Sequence, residues 1–252
     1  MTTPVLYVFA ISHYCEKARW TLDYLGVDYT LRHLAPGAHR RFANKLGAPV
    51  STLPILVPGD ADGEKFIQGS SAIIDWAEIN KPASSPSLTP TTDRQEALEI
   101  EQRLDDVSDV HIRRYYYSEA LVDYPATVRP IFTKDLPLIQ KWVITAAWGA
   151  IRKLMIQGMD LGPAQGLESR QLVEAELDWL DELLTPDRPF LAGDTLSRTD
   201  ITAASLLAPL VQPDRHPTYA AIQLPPMLAA VCKEWRERRC MRWTREIYQN
   251  YR

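Results

Sequence analysis

The fold is decided by the stretch Val5-Leu6-Tyr7-Val8-Phe9-Ala10-Ile11-Ser12-His13-Tyr14-Cys15 near the start of the chain. Residues 5–11 are uncharged and rich in β-branched and aromatic side chains, which predicts a buried strand. Beyond Cys15 the apolar residues recur with helical spacing as far as Gly26, a residue that commonly ends helices, so a helix is predicted over 14–25. A hydroxyl and a thiol therefore lie at or beside a helix N-terminus.

A helix N-terminus is a place where an anion is stabilised, because its first N–H groups lack helical acceptors and the helix dipole is positive there. Lowering a cysteine pKa from about 8.5 by about two units requires roughly 2.7 kcal/mol. One hydrogen bond to the thiolate contributes roughly 1.5–3 kcal/mol, so together with the helix N-terminus it is enough to lower the pKa by that amount. The thiolate is either that of Cys15 or that of a ligand held by Ser12. A plain N-cap serine followed by a buried cysteine fits the same residues.

Composition limits the classes of function. The 252 residues are 46% hydrophobic and 24% charged and carry a net charge of -4, so no basic field favours nucleic acid or an anionic membrane. No apolar run is long enough for a membrane span, and the N-terminus lacks the features of a signal peptide. Cys15, Cys232 and Cys240 match no metal-ligand spacing and suit a reducing compartment. We therefore expect a cytoplasmic protein without metal, nucleic-acid or membrane partners.

Residues 1–80 alternate between strand and helix patterns. After the first strand and helix, the pattern predicts strands over 28–34, 53–57 and 65–67, a turn over 58–63, and helices over 38–46 and 70–79. Ser70 and Ser71 are predicted to cap the last of these helices. The order β-α-β-α-β-β-α predicts a small α/β domain with a mixed sheet.

Residues 81–91 are rich in proline and serine and are predicted to be a linker. The remainder, 92–252, is predicted to be entirely helical, with helices over 93–117, within 128–157 and 168–184, over 201–210, and over 226–238, followed by a basic, aromatic tail. Ser197 and Asp200 have the spacing of a capping box ahead of 201–210, which is apolar enough to be buried.

Four patterns in this order resemble those of the soluble, cytosolic-type glutathione S-transferases, in particular bacterial-type members with a Ser/Cys active-site motif. The patterns are Ser12-His13-Tyr14-Cys15-Glu16-Lys17-Ala18-Arg19, Ser51-Thr52-Leu53-Pro54, Gly69-Ser70-Ser71-Ala72-Ile73, and the capped helix that begins at Ser197. The resemblance implies a thioredoxin-like α/β N-terminal domain and an all-α C-terminal domain.

The resemblance also implies a glutathione site. Ser12 matches the residue that faces the glutathione sulfur, whereas Cys15 falls on the second cysteine of a glutaredoxin-type pair whose first cysteine is replaced by Ser12. Pro54 is expected to be cis, with the backbone of Leu53 pairing with the cysteinyl unit of glutathione.

The γ-glutamyl end of glutathione is expected beside the helix that begins at residue 70. Ser70, with Ser71, matches the serine that receives the γ-glutamyl carboxylate. Gly69 departs from the family pattern, which has an acid or amide there, and Gln68 is a candidate substitute. His39 is a candidate partner for the glycyl carboxylate, with an ordinary surface position as the alternative.

The function implied is a glutathione transferase that activates the thiolate of glutathione for attack on a small apolar electrophile, as in detoxification. The electrophile is expected between the domains, against Tyr14 and one of Tyr115–Tyr117, for which Tyr116 is chosen. A homodimer is implied by the family alone. Two alternatives stay open: a glutathione-dependent thiol-transferase or reductase using Cys15, and a non-catalytic binding protein on the same fold.

Overall fold

The computed structural model describes residues 2–59, 65–90 and 92–252. The predicted turn over 58–63 therefore lies mostly outside the described residues. The chain divides into two compact units, one formed by residues 1–87 with 131–147 and the other by residues 88–130 with 148–252. Among the described residues, no helix combines the length and the apolar character that crossing a bilayer requires.

The first unit is built on a four-stranded mixed sheet. Its strands are β1 (Val5–Val8), β2 (Thr30–His33), β3 (Ile55–Val57) and β4 (Ile67–Gln68), in the order β2-β1-β3-β4. β1 pairs with β2 in parallel, and β3 is antiparallel to both β1 and β4. The thioredoxin-like α/β prediction is thereby confirmed, although the first strand ends at Val8 rather than at Ile11.

Three helices complete the α/β pattern: α1 (His13–Leu25), α2 (Ala38–Leu46) and α3 (Ser70–Asn80). α1 and α3 pack against each other. Gly26 ends α1 with a φ of 68°, in the left-handed region that glycine adopts without a steric penalty. The Leu53–Pro54 peptide bond is cis, as the resemblance implied.

The second unit is mostly helical. Its helices, together with the two that cross into the first unit, are α4 (Arg94–Arg103), α5 (Asp109–Ala120), α6 (Pro125–Phe132), α7 (Leu138–Gly158), α8 (Pro163–Leu183), α9 (Arg198–Val211), α10 (Pro226–Trp235) and α11 (Arg239–Tyr251). A π-helical turn over Leu104–Ser108 separates α4 from α5, where one continuous helix was predicted. A π-helical turn contains one residue more than an α-helical turn, and the spacing of apolar residues does not reveal that insertion. The sequence alone therefore predicted an uninterrupted helix.

α9 begins with the predicted capping box. The carboxylate of Asp200 accepts the backbone N–H of Ser197 at 2.8 Å and its hydroxyl at 2.6 Å, and it also accepts the N–H of Leu191 at 2.7 Å. Residues 198–210 are buried throughout, as expected for the apolar helix.

The basic, aromatic tail after residue 238, to which the sequence analysis assigned no separate helix, forms α11 over residues 239–251. Cys240, Thr244 and Ile247 lie on its buried face with helical spacing. The many arginines around them obscured this pattern in the sequence. Domain limits of 1–80, 81–91 and 92–252 remain a prediction, but residues 131–147 pack with the first unit rather than with the other helices.

Candidate functional site

The junction between β1 and α1 holds Ser12 and Cys15. Ser12 has an extended backbone and is the N-cap of α1, and its hydroxyl oxygen accepts the N–H of Cys15 at 3.3 Å. The hydroxyl is half-buried, whereas Cys15 is buried almost completely. The prediction that a hydroxyl and a thiol share this helix start is therefore confirmed by the geometry of the turn.

The thiol of Cys15 is buried, and its environment favours the protonated form over the thiolate. Burial raises the pKa of Cys15 to about 11, although the hydroxyl of Ser12 and the N–H of Phe9 act in the opposite direction. The Phe9 N–H donates to the sulfur at 3.3 Å. With that pKa only about one molecule in ten thousand carries the thiolate at pH 7. Because the thiolate is the nucleophile, the environment of Cys15 disfavours a catalytic role.

The loop before the cis proline is tied to the end of β4. The side-chain amide nitrogen of Gln68 donates to the carbonyl oxygens of Val50 at 2.8 Å and of Thr52 at 2.9 Å. The N–H of Gly69 donates to the carbonyl of Pro54 at 3.1 Å. Leu53 and Pro54 are buried. The amide donors of Gln68 therefore hold this loop, which leaves only its oxygen for the ligand contact that the sequence suggested.

The start of α3 differs from the prediction by one residue. Gly69, rather than a serine, is the N-cap, and its φ of 95° lies in the region that favours glycine. Ser70 and Ser71 are the first two helical residues, and no side-chain hydrogen bond caps the helix. The first turn contains no acidic residue, so the positive end of the helix dipole is not offset by a carboxylate there.

Lys17 reaches this helix start from α1. Its ammonium group donates to the hydroxyl of Ser71 at 3.1 Å, and the lysine is 1% exposed. A buried ammonium is costly unless it is hydrogen-bonded or paired. The sequence contained a signal for this contact, because Lys17 lies three and four positions before the buried Trp20 and Thr21 and so shares the inner face of α1.

His39 and Tyr14 flank the β1–α1 junction. The ring of His39 packs edge-on against Phe9, with 4.7 Å between ring centroids, and its Nδ1 accepts the N–H of Gly37 at 3.1 Å. Burial lowers the pKa of His39, so the ring is neutral at physiological pH. A neutral imidazole can donate one hydrogen bond to a carboxylate but supplies no charge. Tyr14 is half-buried, with its ring 4.9 Å from that of His13.

Tyr116 lies inside the second unit. It is 2% exposed, and its ring packs against those of Tyr117 at 5.3 Å and Tyr219 at 6.1 Å between centroids. Tyr115 and Tyr117 are also buried. The role of Tyr116 in binding an electrophile remains a prediction, and its burial disfavours it.

Among the described residues, no group of three or more histidine, cysteine, aspartate or glutamate side chains is arranged to hold a metal ion. The chemistry available at the junction is that of a hydroxyl, backbone N–H groups and a buried lysine.

A family model described as "Glutathione S-transferase, N-terminal domain" matches residues 6–85. No curated protein matches the sequence. The match covers the segment that contains Ser12, the cis proline and the start of α3.

Solved structures share the fold over nearly the whole chain. Glutathione transferase GSTFuA3 from Phanerochaete chrysosporium has 16% identity and a TM-score of 0.67, with 100% of this chain and 98% of that chain covered. Beta-etherase LigF from Sphingobium sp. strain SYK-6 has 18% identity and a TM-score of 0.60, with 97% and 99% covered. Glutathione transferase URE2P8 from Phanerochaete chrysosporium, solved with oxidized glutathione, has 14% identity and a TM-score of 0.58, with 99% and 96% covered. At these identities the likeness establishes the fold alone.

Proposed function

We propose that this chain, whose residues 6–85 match the N-terminal domain model of the glutathione S-transferases and whose fold is shared with solved glutathione transferases, binds glutathione and activates its thiol. The observation that carries the proposal is the position of Ser12. Its hydroxyl stands at the N-cap of α1, half-buried, beside a cysteine whose own thiol is buried and raised in pKa. The thiolate that this helix start stabilises is then the ligand's.

The proposed binding mode follows the first unit. The cysteinyl part of glutathione lies along Leu53 and Pro54, and the γ-glutamyl carboxylate lies at the first turn of α3. That turn offers N–H groups without a side-chain cap, together with Ser70. Lys17, hydrogen-bonded to Ser71, adds positive charge to the same end of the helix. His39 is proposed to donate a hydrogen bond to the glycyl carboxylate.

The proposed reaction is a substitution or addition at carbon. The thiol proton leaves to solvent, and the hydroxyl of Ser12 donates to the resulting thiolate. The sulfur then forms a bond to the electrophilic carbon. In a substitution the leaving group departs with the bonding electrons, and in an addition the π electrons of the electrophile move to the far end of its π system, which takes up a proton from solvent. Tyr14 is proposed to contact the apolar electrophile. Catalysis rests on sulfur activation and on proximity of the two reactants. The enzyme is proposed to act in the cytoplasm, in detoxification, as a homodimer.

Conjugation of glutathione to an aryl halide tests the proposal. A hydrogen bond to a charged group contributes roughly 1.5–3 kcal/mol, so Ser12→Ala is expected to lower kcat/KM by about 10- to 100-fold. Cys15→Ala is the matched control from the same turn and should change kcat/KM by less than about threefold, since its thiol takes no part. Equal activity of Ser12→Ala and wild type contradicts the assignment, and a large loss in Cys15→Ala alone favours the thiol-transferase alternative.

A binding protein without catalysis is the second candidate, and Gly69 is the observation that favours it. Gly69 offers no side chain to the γ-glutamyl end of the ligand, and the amide donors of Gln68 are already used by the preceding loop. Calorimetric titration with glutathione separates the candidates. Binding with conjugation supports the transferase, whereas binding without conjugation of any electrophile in a broad panel supports the second candidate.

A further inference from the structure

A groove in the second unit lies between α11 and the loop over 184–189, which follows α8. It has a volume of about 350 Å³, within the range of small-molecule sites in proteins. Three of its lining residues are arginines: Arg188 from the loop, and Arg239 and Arg242 from α11. Among the described residues that line it, only Glu246 is acidic. We call this site the arginine groove, and its charge favours an anion.

One side of α11 supplies a continuous wall of the arginine groove. Arg239, Arg242, Trp243 and Glu246 have the spacing i, i+3, i+4 and i+7, so they follow one another along the same side of the helix. Trp243 is buried, as is Leu184 from the loop, and both line the groove. The arginines therefore stand around an apolar base, which suits an anion that carries an apolar group.

Hydrogen bonds fix the two walls of the groove to each other. The indole Nε1 of Trp243 donates to the carbonyl oxygen of Pro189 at 2.8 Å. The guanidinium of Arg239 donates to the carbonyl oxygen of Leu184, and to that of Asp181 at 2.7 Å. Leu184 and Pro189 are the two ends of the loop, so α11 holds it at both ends. A groove that is already formed requires little ordering when a ligand binds.

The positive charge of the groove is only weakly compensated. The two carbonyl oxygens that accept from Arg239 are neutral. Arg242 lies 3.7 Å from the carboxylate of Glu237, but these side chains are 53% and 76% exposed. Arg188 donates to Glu96 at 2.9 Å, and both side chains are partly exposed. Exposed ion pairs are weak, so Arg242 and Arg188 can turn to a ligand at little cost.

We propose that the arginine groove binds a phosphate monoester with a small apolar group. Such an ester carries about -1.5 to -2 charges at pH 7 and has three terminal oxygens, so more than one guanidinium can bind it. A carboxylate has a single charge and two oxygens, which match one guanidinium. The phosphate contacts the arginines, and the apolar group contacts Trp243 and Leu184. The proposal uses the second unit alone and is independent of glutathione binding.

Calorimetric titration with phenyl phosphate at low ionic strength is the first test. Wild type is expected to bind this probe at least about tenfold more tightly than benzoate or phenol, because only the ester combines two charges with an aromatic ring. Absence of binding by wild type overturns the proposal. Equal affinity for benzoate overturns the choice of a phosphate ester.

Two variants of α11 test the location of the phosphate. Arg242→Gln removes one guanidinium from the lining and is expected to weaken binding of phenyl phosphate by about tenfold or more. Arg245→Gln is the matched control, because the side chain of Arg245 is not part of the lining and donates to the carbonyl oxygen of Arg236. It should bind the probe as wild type does. Equal affinity of Arg242→Gln and wild type overturns the proposal.

Removal of the acidic residue provides a test with the opposite sign. Glu246→Gln takes a negative charge out of the lining, so phenyl phosphate is expected to bind about two- to fivefold more tightly than to wild type. A residue that only supports the packing of α11 would not strengthen binding when it is replaced. Unchanged or weaker binding by this variant contradicts the placement of the phosphate in the groove.

Protection from phenylglyoxal, mapped by mass spectrometry, tests the same site in wild type without any substitution. At about ten times its Kd, phenyl phosphate should slow the modification of Arg242 by about tenfold, because only about one molecule in eleven is then free. The modification of Arg245 should keep its rate. Equal slowing at both arginines, or none at Arg242, overturns the proposal.

Discussion

Asp200 gives the stability of this protein a defined pH dependence. Its carboxylate accepts three hydrogen bonds, from the N–H of Leu191 and from the N–H and hydroxyl of Ser197, and it has no exposed surface. Burial nevertheless raises the pKa of Asp200 from 3.8 to about 6, which the hydrogen bonds only partly offset. The perturbation that isolates this group is Asp200→Asn, which is similar in shape and does not titrate.

The sign follows from the two pKa values. The folded protein keeps the proton of Asp200 up to about pH 6, whereas the unfolded chain releases it near 3.8. The stabilising contribution of the proton is therefore complete below about pH 3.8 and is lost as the pH rises through 6. At 1.36 kcal/mol per pH unit, the loss over this window is about 3 kcal/mol.

Urea denaturation of wild type and Asp200→Asn at several values between pH 4 and pH 7 measures this contribution. The free energy of unfolding of wild type minus that of the variant should fall by about 3 kcal/mol as the pH rises, because all other titrating groups cancel. In the variant the side-chain NH2 group replaces an oxygen that accepts a hydrogen bond, so two donors face each other. This lowers the free energy of unfolding by about 1–3 kcal/mol at every pH and does not affect the slope. A difference that is flat, or that rises with pH, would show that burial does not dominate the pKa of Asp200.

Three further predictions concern Cys15, Glu101 and Gly69. The rate at which iodoacetamide alkylates native Cys15, followed by peptide mapping, should rise about tenfold per pH unit between pH 7 and 9, because the pKa of this thiol is about 11. A rate that is already constant with pH near pH 7 would contradict the buried thiol. Glu101→Met should lower the free energy of unfolding by about 3–5 kcal/mol in urea denaturation, since it removes the carboxylate that pairs at 2.5 Å with Arg198, a side chain only 4% exposed; a loss below 1 kcal/mol would show that the pair is not buried in solution. Gly69→Ala should lower the free energy of unfolding by about 1–2 kcal/mol, because alanine is strained at the φ of 95° that Gly69 adopts. An added Cβ meets no atom within 4 Å, so no steric clash contributes to this loss. An unchanged urea midpoint would contradict that backbone conformation.

The parts of the fold that depend on local rules could be predicted from the sequence. The helix that starts after Ser12 and ends at Gly26 follows from a cap residue, apolar spacing and a residue that tolerates a positive φ. The capping box of Ser197 and Asp200 follows from their spacing. In each case a few adjacent residues contain all the information that the backbone needs.

The parts that depend on tertiary contacts could not be predicted. The π-helical turn over Leu104–Ser108 coincides with a contact between separate helices, in which the buried hydroxyl of Ser108 donates to Glu176 at 2.8 Å. The packing of residues 131–147 with the first unit joins segments far apart in the chain. The start of α3 was misplaced because propensity favours serine as a cap, whereas the positive φ of Gly69 sets the boundary.

The role proposed for Ser12 is to hold the thiolate of bound glutathione by a hydrogen bond. Ultraviolet thiolate absorbance of bound glutathione, followed across pH in wild type and Ser12→Ala, tests it most directly. The pKa of the bound thiol is expected to lie about one to two pH units lower in wild type than in Ser12→Ala, which corresponds to one charged hydrogen bond. The same bound-thiol pKa in both proteins, with glutathione bound by each, would contradict it.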